Sequence, residues 1–271
     1  MKFTKYHGTG NDFIVLIEKD LEGREESETA KALCHRNYGI GADGLLIVKE
    51  SQVADLKMAY YNQDGSVAPM CGNGLRCFAR FAHENDLVEN DRFQVETLAG
   101  ILPVDVSSGY ERIRIGLMKP SFHLTAPHVR REVYEGEILN LAVNGRSYDL
   151  HVLFLGTLHA VVFTEDEVPY EDADGLCHHE FFPEHINVNF VKVESEEAIR
   201  LLTFERGVGY TLACGTGAAS AQVTAHKLGF TKPKAKVHVD GGMLEVTVKD
   251  QVFLEGPAVC IAKGEMEIGQ A

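Results

Sequence analysis

No stretch of eighteen apolar residues occurs anywhere in the 271-residue chain, so no segment reads as a helix that spans a bilayer. Positive charge is scarce: 26 lysines and arginines stand against 40 acidic residues, for a net charge of −14. Such a surface repels phosphate backbones, which excludes nucleic acid as an expected partner. The opening Met1-Lys2-Phe3-Thr4-Lys5 is followed by no apolar export core and no small-residue cleavage site, so a cytoplasmic location is expected. Six cysteines are present, but none forms a Cys-x-x-Cys pair, and the spacing of Cys71 and Cys77 suits no common zinc site. His178, His179 and His185 gather near Cys177, again without ligand spacing, and no metal is expected. Thiols in a cytosolic chain of this size are reduced. For Cys34, Cys77, Cys177 and Cys260 the expectation is a small buried hydrophobe.

Apolar residues make up 45% of the chain, enough to build a core without staples, and the length suits two domains. The chain is in fact written twice. At an offset of 143 residues, Gly44-Leu45-Leu46-Ile47-Val48-Lys49 falls on Asn187-Val188-Asn189-Phe190-Val191-Lys192, and Cys71-Gly72-Asn73-Gly74 falls on Cys214-Gly215-Thr216-Gly217. At 142, Val95 to Val106 falls on Val237 to Val248, and a looser match sets Ile14-Val15-Leu16 against Val161-Val162-Phe163. Short alternating or apolar runs predict strands at Phe13 to Ile17, Leu45 to Val48, Lys57 to Tyr61 and Val104 to Val106. The second half has counterparts at His151 to Leu155, Val161 to Phe163, Val188 to Val191 and Leu244 to Val248. After each Cys-Gly-x-Gly the pattern turns helical and is small or apolar nearly all round, which predicts a buried helix. The expected fold is α/β of the α+β kind: two pseudo-symmetric domains from the duplication, each a curved, mostly antiparallel sheet around a central helix. The expected domains are 1–117 with Cys71 and 118–271 with Cys214, the last strand, about 262–271, being a candidate to return to the first domain. Thr164 to His179 is polar and acidic and reads as a surface excursion.

Each repeated cysteine stands just before a glycine-rich helix start. The first N–H groups of a helix have no partner inside it and point outward with partial positive charge. That environment favours thiolate over thiol and also binds a carboxylate. If the halves present Cys71 and Cys214 to the two faces of one α-carbon, the thiolate removes the α-proton and the thiol delivers a proton to the opposite face. The implied activity is cofactor-independent racemisation or epimerisation of an amino acid, a reaction whose mirror-image substrates suit matched bases. No lysine stands in a pyridoxal context, so no cofactor is expected.

These and further segments resemble the diaminopimelate epimerase family over nearly the whole chain. The matching stretches are Lys5-Tyr6-His7-Gly8-Thr9-Gly10-Asn11-Asp12-Phe13, Gly39-Ile40-Gly41-Ala42-Asp43-Gly44, Asn62-Gln63-Asp64-Gly65-Ser66, Met70 to Cys77, Glu96-Thr97-Leu98-Ala99-Gly100, Glu205 to Gly209 and Ala213 to Gly217. The resemblance implies a pyridoxal-independent isomerase, commonly dimeric, acting in lysine and cell-wall precursor biosynthesis. It implies Cys71 and Cys214 as the acid–base pair, with Gly72, Asn73, Gly215 and Thr216 holding the α-carboxylate through backbone N–H groups. Asn11, Asn62, Asn187, Glu205 and Arg206 match positions that bind the substrate's amino groups and distal end. Arg206 is suited to a distal carboxylate by its planar fork. Glu205 and His159 match positions that tune the cysteines. Taken as residues alone, Asn11 equally suits a turn cap, Arg206 a surface ion pair and His159 a satisfied core site.

The chain departs from the family at the distal end. Gly156-Thr157-Leu158-His159 stands where the family carries Gly-Asn-Pro-His, and Tyr210 replaces a usual glutamate. Thr157 lacks the amide donor of asparagine, and a site that loses a donor loses discrimination. Diaminopimelate is therefore the first expectation, and the alternative is a racemase of another amino acid such as histidine, with Thr157, Leu158 and Tyr210 shaping the pocket. A proline-racemase-like enzyme would lack the Gly-Thr-Gly-Asn-Asp-Phe opening. A non-catalytic amino-acid binder would tolerate Cys71→Ser, and a redox protein would need the two cysteines to bridge.

Overall fold

A computed structural model describes residues 1–266 of the chain. Residues 267–271 of the last expected strand lie outside the described residues. The described residues divide into two compact units, 1–116 with the segment from 255 onward, and 117–254.

In the first unit, β1 (Lys2–Gly8) and β2 (Asn11–Ile17) form a hairpin closed by Thr9-Gly10. Both turn residues have positive φ, 50° and 89°, the twist that suits a two-residue hairpin. Then follow α1 (Glu26–Cys34), β3 (Gly44–Lys49), β4 (Leu56–Asn62), α2 (Gly72–Glu84), β5 (Arg92–Thr97), β6 (Gly100–Asp105) and β7 (Ile113–Gly116). Pairing runs β1–β2 antiparallel, β2–β3 parallel, β3–β4 antiparallel, β4–β5 parallel, then β5–β6 and β6–β7 antiparallel.

The second unit holds β8 (Leu139–Val143), β9 (Arg146–Phe154), β10 (Leu158–Phe163), α3 (Tyr170–Cys177), β11 (Asn187–Ser195), β12 (Ala198–Glu205), β13 (Gly209–Thr211), α4 (Gly215–Lys227), β14 (Lys234–Val239), β15 (Gly242–Val248) and β16 (Val252–Gly256). Its ladder repeats the first: β9–β10 antiparallel, β10–β11 parallel, β11–β12 antiparallel, β12–β14 parallel and β14–β15 antiparallel. Each ladder gains one outer strand. β8 lies antiparallel on β9, whereas β17 (Val259–Glu265), from the far end of the chain, lies antiparallel on β1. The fold is thus mixed α+β and mostly sheet, and its strand order is used twice.

The register corrects one alignment. Phe13 pairs Gly44, and His159 pairs Asn187. Since Gly44 and Asn187 are counterparts, Phe13 answers to His159 and Ile14 to Ala160, one residue off the match of Ile14 with Val161. A one-residue slip exchanges the two faces of a strand, so the difference decides which side chain lies beneath the helix. A second correction concerns Thr164 to His179. It contains α3, whose Ala173, Leu176 and Cys177 belong to the core with Leu158, Phe182 and Phe204. The acidic residues mask an apolar stripe only one face wide.

The two long helices are buried almost all round, as their small and apolar patterns predict. Within α2, Leu75, Cys77, Phe78 and Ala79 are fully enclosed, and burying a phenylalanine such as Phe78 contributes about 1.5–3 kcal/mol. α4 stops at Leu228, where Gly229 takes φ 78° and ends the helix without a Cβ clash. Cys34 and Cys77 are buried and their thiols are pushed up to about 12, while Cys177 rises to about 11, all chiefly by burial. Cys260 departs from expectation: it lies half-buried on β17 opposite Tyr6. No helix of the described residues is long and apolar enough to cross a membrane.

Candidate active site

Cys71 and Cys214 hold the same structural post. Each is the N-cap of its helix in extended backbone, and each sulfur accepts the N–H of the glycine three residues on, from Gly74 at 3.5 Å and from Gly217 at 3.4 Å. A side-chain acceptor at this position satisfies a helix N–H that has no intrahelical partner. At the second helix start the glycine also makes room for a neighbour: a Cβ on Gly217 would lie 2.4 Å from Asn189 Oδ1. Cys71 is half-buried and Cys214 buried. Gly72 and Asn73, and likewise Gly215 and Thr216, form the first turn behind each sulfur.

In the first unit, Asn11 opens β2 and joins this helix start. Its Oδ1 lies 3.6 Å from Cys71 Sγ and accepts Asn73 Nδ2 at 3.4 Å, while its Nδ2 donates to Asp43 Oδ2 at 2.6 Å. Asp43 in turn accepts from Arg36. Asn73 Oδ1 accepts from Arg76 at 2.9 Å, and Arg76 also donates to the carbonyls of Gly72 and Pro257. Arg76 is fully buried, and burial pulls it down only to about 10, so it remains a cation at neutral pH. Asn62 is bonded elsewhere: its amide donates to Ser66 across the turn after β4.

The second unit assembles the other predicted residues. His159, on β10 and fully buried, contacts Thr216 Oγ1 through Nε2 at 3.0 Å and Asn189 Nδ2 through Nδ1 at 3.1 Å. Thr216 Oγ1 lies 3.6 Å from Cys214 Sγ. Burial, and secondarily the charge of Arg206, lowers His159 to about 3, so its ring is neutral at physiological pH. Asn187 braces the distal end: its Nδ2 donates to Thr157 Oγ1 and to the Leu158 carbonyl, and its Oδ1 accepts the Arg206 N–H. The Arg206 guanidinium donates to the Glu184 carbonyl, a neutral acceptor that leaves its charge uncancelled. Glu205 accepts from Thr211 at 2.7 Å.

One expectation about pocket lining fails. Leu158 is 2% exposed and sits in the hydrophobic core, because β10 turns it away from the helix start that His159 faces. Tyr210 packs its ring on Phe204 and Tyr170, with its hydroxyl on the Val168 carbonyl. Sequence reasoning also missed Asp43, Arg76, Asn189 and Thr203. For Asn189 and Thr203 a signal existed: they are polar where the other copy has Leu46 and Tyr60.

A duplicated α+β fold with a cysteine capping each of two buried helices is what the residues and the register define. Comparisons with known proteins extend this. A family model described as diaminopimelate epimerase matches residues 3–121 and 152–261. A diaminopimelate epimerase of Caldanaerobacter subterraneus subsp. tengcongensis is 41% identical, with 99% of this chain and 100% of that one covered. One from Alkaliphilus metalliredigens is 40% identical, over 97% of this chain and 96% of its own. Among solved structures, a probable proline racemase from Agrobacterium radiobacter shares the fold with a TM-score of 0.71 at 16% identity, covering 99% of this chain and 93% of that one. The chain belongs to the diaminopimelate epimerase family and is an epimerase.

Proposed function

We propose that this epimerase interconverts LL- and meso-diaminopimelate by a two-base mechanism, in lysine and cell-wall precursor biosynthesis, with a first domain, 1–117, supplying Cys71 and a second, 118–271 apart from the last strand that returns to the first, supplying Cys214. The observation that carries it is the equivalence of the two sulfurs: each caps a buried helix at matching places in a repeated fold. A thiolate takes the α-proton from one face while the other thiol gives its proton to the opposite face. The C–H bond broken and the C–H bond formed balance, and the pair keeps one proton and one negative charge throughout. The roles reverse for the next turnover in the other direction. Charge that develops on the α-carboxylate is met by the outward N–H groups of Gly72, Asn73, Gly215 and Thr216. Asn11, Asn62, Asn187 and Glu205 bind the amino groups and distal end, and Arg206 takes the distal carboxylate.

Diaminopimelate is favoured over histidine because two of the three residues that suggested another side chain are committed to packing, Leu158 within the core and Tyr210 against its edge. Thr157 keeps the third role, bonded to Asn187 beside Arg206. A homodimer in the cytoplasm accompanies this proposal by family resemblance. The test is incubation in deuterated water without added cofactor. LL-diaminopimelate is expected to gain α-deuterium and lose optical purity, and Cys71→Ser or Cys214→Ser to lower the rate by about 10²–10⁴-fold. Exchange of histidine in preference to diaminopimelate would overturn the substrate. No exchange with either, or full activity of both serine variants, would overturn the mechanism.

A further inference from the structure

The duplication has diverged beneath the two cysteines, and the divergence is chemical. At the offset of 143, Leu46 answers to Asn189, Tyr60 to Thr203 and Gly74 to Gly217, and the strand register sets Phe13 against His159. A Cβ on Gly74 would meet Leu46 and Phe13, each at 3.4 Å, whereas one on Gly217 would meet Asn189 Oδ1 and Thr203 Oγ1. One helix start rests on Leu46 and Phe13, with a tyrosine in the third place, and the other on three buried polar side chains. Buried polar groups cost stability unless each is bonded, so the polar floor is not the default.

The hydrogen bonds on each side have a direction that chemistry dictates. Asp43 is a carboxylate and only accepts, so the Asn11 amide nitrogen must face it at 2.6 Å. Arg76 only donates, so Asn73 must turn its oxygen to Arg76 and its nitrogen to Asn11. Asn11 therefore shows an oxygen to Cys71, and the group that can bond there is S–H. On the other side, the Ala160 carbonyl accepts from Asn189 Nδ2 at 2.9 Å, and Thr203 donates to Asn189 Oδ1 at 3.0 Å. The second amide hydrogen meets His159 Nδ1, which must then present a lone pair. The ring proton is on Nε2 and goes to Thr216 Oγ1. Thr216, having accepted there, has its own hydrogen to give to Cys214, whose sulfur also takes the Gly217 N–H.

Building on the two-cysteine reading, we propose that the substrate-free enzyme rests with Cys71 as thiol and Cys214 as thiolate, and that Asn189 is the positioning residue that sets this order through His159 and Thr216. Two arginines bear on the paired sites, Arg76 on Cys71 and Arg206 on His159. Arg206 follows β12 beside Glu205, and its charge acts on His159. Arg76 in α2 faces Cys71 and favours charge there, while its hydrogen bonds hold Asn73, Thr9, Gly72 and Pro257. Asp43, paired with Arg36, holds Asn11 in the orientation that opposes that charge. Arg76 is then the group that lets Cys71 carry the charge once the proton has been handed across.

The experiment is alkylation of the substrate-free protein by iodoacetamide over a range of pH, with each cysteine followed by mass spectrometry. The thiolate is the reactive form, so the rate midpoint reports its protonation. Cys214 is expected to have its midpoint below that of Cys71, with about a tenfold larger thiolate fraction in the interval between them. Asn189→Leu and Thr216→Val should move the Cys214 midpoint up and leave that of Cys71 in place, while Thr216→Ser, which keeps the hydroxyl, should behave as wild type. Should Asn189→Leu fail to fold, the pair at half-exposed Thr216 decides the matter. Coincident midpoints, a lower midpoint for Cys71, or a Cys214 midpoint unmoved in Thr216→Val would overturn the proposal. Deuterium exchange with substrate reads the two-base mechanism separately, so either can fail while the other stands.

Discussion

His159 shows how one side chain links the site to stability. It is buried, bonded at both ring nitrogens and held neutral, with its folded value near 3. Unfolded, it binds a proton near 6.5, so between these values the unfolded chain holds more protons than the folded one. Its contribution is fully present above about 6.5 and is lost as pH falls toward about 3. Lowering pH from about 7 to about 5 should therefore cost about 2 kcal/mol through this residue. Urea denaturation at the two pH values should show that loss in the wild type and a smaller one in His159→Gln; equal losses would refute the assignment. Asn187 sets a second prediction at this scale. Its three bonds brace Thr157, Leu158 and the backbone of Arg206. Asn187→Leu should strand these partners and destabilise the fold by about 1–3 kcal/mol, and it should raise KM for a dicarboxylate amino acid more than it lowers kcat. A drop confined to kcat would place Asn187 at the reacting carbon instead.

Among the elements, the two helix starts look alike in sequence and differ in tolerance. The Cβ of an alanine at 74 would meet its neighbours at 3.4 Å, an ordinary contact, while one at 217 would press on Asn189 Oδ1 at 2.4 Å and on Thr203 Oγ1 at 3.1 Å. Gly217→Ala is expected to cost about 1–3 kcal/mol as a buried overpacking. Gly74→Ala should stay within about 1 kcal/mol of wild type, because alanine's better helix propensity offsets the tighter fit. Denaturation midpoints of the two variants check this, and an equal cost would show that the floors are alike. Strands were legible where alternation or an apolar run was strong, as in β2, β3 and β11. β1, β5, β8 and β14 were not, because lysine, arginine or asparagine on their solvent faces dilutes the pattern. α3 was hidden for a related reason: a short helix needs only one apolar face, and its acidic face dominates the composition.

At the scale of the whole molecule, the first unit depends on the far end of the chain and the second does not. β17 supplies the outer strand on β1, and the segment before it supplies the Pro257 and Ala258 carbonyls that accept from Arg76 and Arg80. The second unit draws its equivalent strand, β8, from the residues just ahead of β9. Removing everything after Gly256 should therefore strip hydrogen-exchange protection from β1 and α2 while β9 and α4 keep theirs. Loss in both units alike would show that they unfold as one cooperative body.

The repeat, the two helix-capping cysteines, the buried helices and the family were all legible in the residues themselves, because each is written in contiguous segments of a few residues. Periodicity and glycine spacing are local properties, and Cys-Gly-x-Gly needs no distant partner to be recognised. The rest was decided only by tertiary structure. Whether His159 or its neighbour lies beneath α4 depends on a register with β11 that a one-residue slip would reverse. Asn11 takes its orientation from Asp43, 32 residues away, and His159 meets Thr216 across 57. Such bonds join side chains whose separation in sequence carries no pattern. Their direction follows from which partner can only donate and which can only accept, and that is known once the fold has set them side by side.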